Sequence, residues 1–174
     1  IRFVKYMKGH LHDDEKTQHL KKEIKRIVGE DLGKWTFLYS GLSEAITNVV
    51  HHAYPDNKGY SEEDKKWYLT ASYDIDSRVI KVVFYDQGIT IPGSLPESKL
   101  HEKILSYLSK LPLAERKRDE QLLKAAVEIK RSSTGEEDRG KGLQDLLEFI
   151  KQRGEGYLSI MSGKGLYKYS QHNN

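Results

Sequence analysis

Glu44-Ala45-Ile46-Thr47-Asn48-Val49-Val50-His51-His52-Ala53-Tyr54 sets an acid and an amide four residues apart in a run with helical spacing. The pattern predicts a long helix from about Lys34 to Tyr54, closed by Pro55. At roughly 100° per residue, Leu38, Leu42, Ala45, Ile46, Val49 and Ala53 share one side of it. Glu44 and Asn48 then fall together on nearly the opposite side. One face is built to pack, and the other presents a carboxylate and an amide oxygen.

That pair has a specific chemistry open to it. An asparagine oxygen is a hard neutral ligand suited to Mg²⁺, which keeps several of its waters. A carboxylate one turn away can hold one of those waters or accept its proton. The same two residues also fit an ordinary exposed polar face. His51 and His52 are neighbours, and neighbours on a helix diverge, so the pair is a weak zinc signal.

Two further segments extend the pattern. Asp86-Gln87-Gly88 ends an apolar strand. A carboxylate there can accept a hydrogen bond from an exocyclic amine, and glycine lets a flat base approach the backbone; an Asp-x-Gly turn reads equally well. Arg139-Gly140-Lys141-Gly142-Leu143 precedes an amphipathic helix expected over Lys141–Gln152. Free N–H groups and the helix dipole favour phosphate at such a start, although solvated charges in a plain N-terminal turn fit as well. A P-loop is excluded: Gly142 stands where Ser or Thr should hold Mg²⁺, and polar Lys130–Thr134 precedes it in place of a strand. Taken in order, the three segments make a magnesium-nucleotide site the leading hypothesis.

Around them, Ile1–Met7 alternates as a first strand and Thr17–Val28 has helical spacing. Trp67–Asp74 and Val79–Tyr85 flank Asp76-Ser77-Arg78 as an antiparallel hairpin, and Tyr157–Met161 with Leu166–Ser170 forms a closing one. Between Gln87 and Arg139 helices are expected over Lys99–Leu111 and Leu113–Lys130, with a polar, glycine-punctuated loop after them.

The chain resembles the GHKL ATPase superfamily, which includes gyrase B subunits, a heat-shock chaperone, sensor histidine kinases and MutL mismatch-repair proteins. The resemblance runs from about Thr17 to Ser170, and Ser43–Asn48 through His52-Ala53-Tyr54 looks most like the anti-sigma-factor serine kinases. It implies an α/β (α+β) two-layer sandwich of the Bergerat type, with a mixed, mostly antiparallel sheet and helices on one face. It implies ATP or ADP with Mg²⁺ as cofactors, Glu44 as the catalytic acid and Asn48 as the magnesium ligand. Asp86 and Gly88 would contact adenine. His52, Arg139, Gly140, Lys141, Gly142 and Leu143 would complete the cofactor-binding set. The family usually carries a second glycine after Asp-x-Gly, where this chain has Thr90. Residues 87–139 would be an unusually long ATP lid with two helices, within a single domain spanning 1–174.

Composition is compatible with this. The 174 residues suit one domain; 37% are hydrophobic and 32% charged, and the net charge is +3. No apolar run approaches the roughly 20 residues that span a bilayer. Cysteine is absent, which excludes disulfides and thiolate ligands and fits a cytoplasmic location. Ile1 is not an initiator methionine, so a longer natural chain stays open. The basic clusters Lys21-Lys22, Arg116-Lys117-Arg118 and Lys130-Arg131 are interleaved with acids, so no nucleic-acid partner is expected from them.

Two functions follow as expectations. One is an ATPase, or a protein serine/threonine kinase, regulating a protein partner. The other is a non-catalytic module whose lid helices capture or release a partner between ATP and ADP states. Leu100, Ile104, Leu108 and Leu111 offer an apolar stripe for such a partner, and equally for packing within the chain. A homodimer also stays open.

Overall fold

Trp67, Leu69 and Ala71 are buried while Thr70 between them is exposed, the period-two pattern of a strand with one packed face. They lie on β2 (Lys66–Asp74), at the centre of an antiparallel sheet with β1 (Arg2–His10) and β3 (Val79–Asp86) on its flanks. The computed structural model describes residues 1–10, 14–29, 35–98, 101–115, 118–132 and 142–172. It is α+β with antiparallel strand pairing throughout the described residues, and it divides into two compact units, Ile1–Gly88 and Ile89–Asn174.

In the first unit, α1 (Asp14–Val28) packs on β1 and β2. Its Leu20, Ile24 and Ile27, spaced to share one face, are each at most 2% exposed. Fully burying one such side chain contributes about 1.5–3 kcal/mol. Arg26 donates to the Phe3 carbonyl at 2.6 Å and Arg2 to the Ile27 carbonyl at 3.3 Å, so the helix is pinned to β1 from both sides. Alongside α1 runs α2 (Thr36–Asn48), whose Leu38, Leu42 and Ile46 are buried as the periodicity requires.

Boundaries in this unit differ from expectation. β1 runs past Met7 to His10 because a bulge between Val4 and Met7 resets its alternation, leaving both residues buried though three apart. Gly9, in the extension, lies against the Trp67 ring, which a Cβ there would strike. The long central helix is α-helical only to Asn48, and Val49–Ala53 continues it as one π-helical turn. Position 34 lies outside the described residues.

The second unit opens with α3 (Ile91–Ser94), capped by the Thr90 hydroxyl, which accepts from the Gly93 N–H at 3.2 Å. It continues with α4 (His101–Ser109), α5 (Asp119–Ser132), α6 (Gly142–Arg153) and the hairpin β4 (Gly156–Ser162) and β5 (Gly165–Gln171). The apolar stripe of α4 is internal: Ile104 and Leu108 are buried with Leu95, Ala125, Ala126 and Ile129, and Leu111 packs against that cluster. Leu100 lies outside the described residues. α5 starts at Asp119 rather than Leu113, because Leu113–Glu115 forms a turn after Pro112 and Leu113 is 79% exposed. The Asp119 carboxylate accepts the Lys164 N–H at 2.7 Å and fills the space a Cβ on Gly163 would need; Gly163 itself has φ +60°, so the tip of the β4–β5 hairpin is fixed to the start of α5.

No helix among the described residues is long and apolar enough to cross a membrane.

Candidate functional site

Glu44 and Asn48 lie on consecutive turns of α2, both half-buried, on the side away from Leu38, Leu42 and Ile46. Neither side chain is hydrogen-bonded within the described residues, so both keep their oxygens available. Between them, the Thr47 hydroxyl is turned back onto the Ser43 carbonyl at 3.0 Å.

The turn after β3 is held against the end of this helix. Tyr54, directly after the π turn, is 6% exposed, and its hydroxyl donates to the Lys66 carbonyl at 2.7 Å. The same oxygen accepts the Gln87 N–H at 3.0 Å. One phenol thus joins the helix end, the start of β2 and the residue after Asp86. Burial pushes its pKa up, and the nearby Asp86 charge adds to this, so the hydroxyl keeps the proton it donates. Gly88 completes the clamp: a Cβ there would collide with the Cβ and carbonyl oxygen of Ala53.

Asp86 sits opposite Trp67 across β2 and β3. One of its oxygens, Oδ1, accepts the Gly88 N–H at 2.9 Å, closing an Asx turn that orients the carboxylate. Its other oxygen accepts nothing from the described residues, which suits it to an amine donor. Among the described residues, two buried side-chain polar atoms find no partner, Ser43 Oγ and Trp67 Nε1. Ser43 directly precedes Glu44, and Trp67 is the cross-strand neighbour of Asp86.

The structure therefore brings the Asp86–Gly88 turn to the end of the helix carrying Glu44 and Asn48. His52 lies on the π turn between them, exposed, its ring 6.1 Å from that of His51. No group of three His, Asp or Glu residues among those described could hold a metal by itself. Gly142 begins α6, buried, with Leu143 half-buried beside it. Arg139, Gly140 and Lys141 lie outside the described residues.

Sequence reasoning missed Tyr54 as the joint of the site. Its two hydrogen-bond partners are 12 and 33 residues away, and no local pattern announces them. Replacing Tyr54 with Phe removes the hydroxyl and with it both part-buried hydrogen bonds, to the Gln87 N–H and to the Lys66 carbonyl. Urea unfolding should show a loss of about 1–3 kcal/mol. An unchanged midpoint would mean that the phenol joins nothing that matters.

No family model, curated protein or solved structure matches the chain.

Proposed function

We propose that the chain binds ATP with Mg²⁺ as a Bergerat-type domain of the GHKL kind and uses it to regulate a protein partner. The observation that carries this reading is the clamped turn. An Asp-x-Gly element with one carboxylate oxygen to spare is fixed to the end of a helix that offers Glu44 and Asn48. Thr90 supports it further. Its φ of +72° is a left-handed value that glycine adopts freely and a β-branched residue rarely does. Position 90 is where the superfamily usually has its second glycine.

On this reading Asp86 accepts the adenine amine, and Asn48 holds Mg²⁺ through its amide oxygen. Glu44 orients a water or takes a proton from the attacking hydroxyl. Phosphate contacts would come from Arg139, at the end of the 87–139 lid, and from Gly140, Lys141, Gly142 and Leu143 that follow it. Bound Mg²⁺ neutralises phosphate charge, the main requirement of phosphoryl transfer. The reaction is hydrolysis of ATP or its transfer to a protein serine or threonine.

Thermal unfolding with ATP and Mg²⁺, against ATP with a chelator, tests this directly. A nucleotide at about a hundred times its Kd adds about 2.7 kcal/mol, a shift of several degrees for a chain of this size. A shift seen only with magnesium is expected. The same midpoint in every mixture would count against the reading.

A further inference from the structure

Alternation along the three-stranded sheet turns Trp67, Leu69 and Ala71 inward and sends a second aromatic set the other way. Tyr68 lies opposite Tyr85 on β3 and opposite Lys8 on β1. Tyr6, placed by the β1 bulge, stacks on Tyr68 with ring centres 5.7 Å apart and planes 27° apart. The Tyr68 and Tyr85 rings are 6.0 Å apart and inclined by 30°. A row of three phenol rings, each tilted on its neighbour, therefore crosses all three strands. Tyr6 is 65% exposed and Tyr85 53%, and Phe3 and Val83 are 62% and 60% exposed.

Lysines outnumber acids on this face of the three strands. Lys66 shares the alternation of Tyr68, Lys8 lies opposite it, and Lys81 lies opposite Ser72 beside Val83. Asp74 and Asp86 are the only acids in the three strands. Asp86 alternates to the other face with Phe84, while Asp74 shares the alternation of Tyr68 at the far end of β2, where its carboxylate accepts the N–H groups of Asp76 at 3.0 Å and Ser77 at 3.4 Å. Exposed flat rings in a row, lysines around them and a single acid engaged by its own turn at the far end of β2 suit a polyanion carrying flat, unpaired rings. A duplex hides its bases within the stack and offers such rings nothing to meet.

We propose that this face binds single-stranded nucleic acid, with bases stacking on Tyr6, Tyr85 and Phe3 and phosphates meeting Lys8, Lys66 and Lys81. None of the basic clusters evident in the sequence takes part. It is the sheet register that assembles the surface. The inference stands apart from nucleotide binding, which involves the opposite side of the strand end and α2.

Fluorescence anisotropy of a labelled oligothymidylate about twelve nucleotides long tests it, with the equivalent duplex as a control. The wild type should bind the single strand more tightly than the duplex. A doubly substituted Tyr6→Ala, Tyr85→Ala protein, folded by circular dichroism, should bind about tenfold more weakly or worse. Lys81→Glu should flatten the salt dependence, and Asn48→Ala should leave oligonucleotide binding unchanged. No binding by folded wild type, equal affinity for duplex, or full affinity in the double variant would each overturn the proposal. So would a solution dimer that ignores the oligonucleotide and dissociates in the double variant, since a second copy would then cover the face.

Discussion

Glu44→Ala should lower ATP turnover by about 10²–10⁴-fold, the usual contribution of a positioned acid or base, and leave nucleotide affinity unchanged. The separation follows from where the residue sits. Glu44 is one turn before Asn48 on α2, half-buried and held by no hydrogen bond among the described residues, so its removal disturbs no structural partner. In the proposed function adenine recognition falls to Asp86 and the clamped turn, which does not involve Glu44. Single-turnover phosphate release measures the first effect and nucleotide titration the second. Turnover equal to wild type would remove Glu44 from the chemistry. A wild type that binds ATP and releases no phosphate would point to the nucleotide-dependent binding module.

Gly88→Ala should destabilise the first unit by about 1–3 kcal/mol, the usual cost of forcing an extra carbon into a filled site. The obstacle is the Cβ and carbonyl oxygen of Ala53. Neither is the far end of a flexible side chain, so relief requires moving the backbone. Ala53 ends the π turn, and Tyr54 fixes the next position through its bonds to Lys66 and Gln87. The added methyl therefore pushes the Asp86 turn away from α2, and ATP affinity should fall with stability. Urea unfolding and nucleotide titration on the same preparation check both effects. Wild-type stability in Gly88→Ala would show that the turn can slide off the helix end at little cost, and the clamp would lose its meaning.

Much of this arrangement was legible in the chain. The hairpin of β2 and β3 follows from two β-rich runs on either side of Asp76-Ser77-Arg78, and its ends fall within a residue of expectation. The packed side of α2 follows from the spacing of Leu38, Leu42 and Ile46. Other features were not legible, for identifiable reasons. A π turn uses the same residue types as an α turn, so Val49–Ala53 could not be told from a continuing helix. The bulge in β1 spaces Val4 and Met7 by three, which breaks the alternation by which a strand is recognised. Gly88 reads as a turn glycine or as room for a base, whereas in the fold it is needed because Ala53 lies against it. The aromatic row of Tyr6, Tyr68 and Tyr85 exists only in the register of three strands. The hold of the Asp86–Gly88 turn on the end of the helix that carries Glu44 and Asn48 depends on Tyr54, whose partners lie 12 and 33 residues away and which no local pattern announces.

Calorimetric titration of ATP into wild type and Asn48→Ala, each with Mg²⁺ and with a chelator, tests the central claim most directly. Loss of even an outer-shell partner weakens a metal site by about 10–100-fold, so loss of the amide that holds the ion should cost at least that. The prediction is magnesium-dependent binding by wild type and its loss in a folded Asn48→Ala protein. Absence of binding by folded wild type, or equal magnesium-dependent affinity in the two proteins, would contradict it.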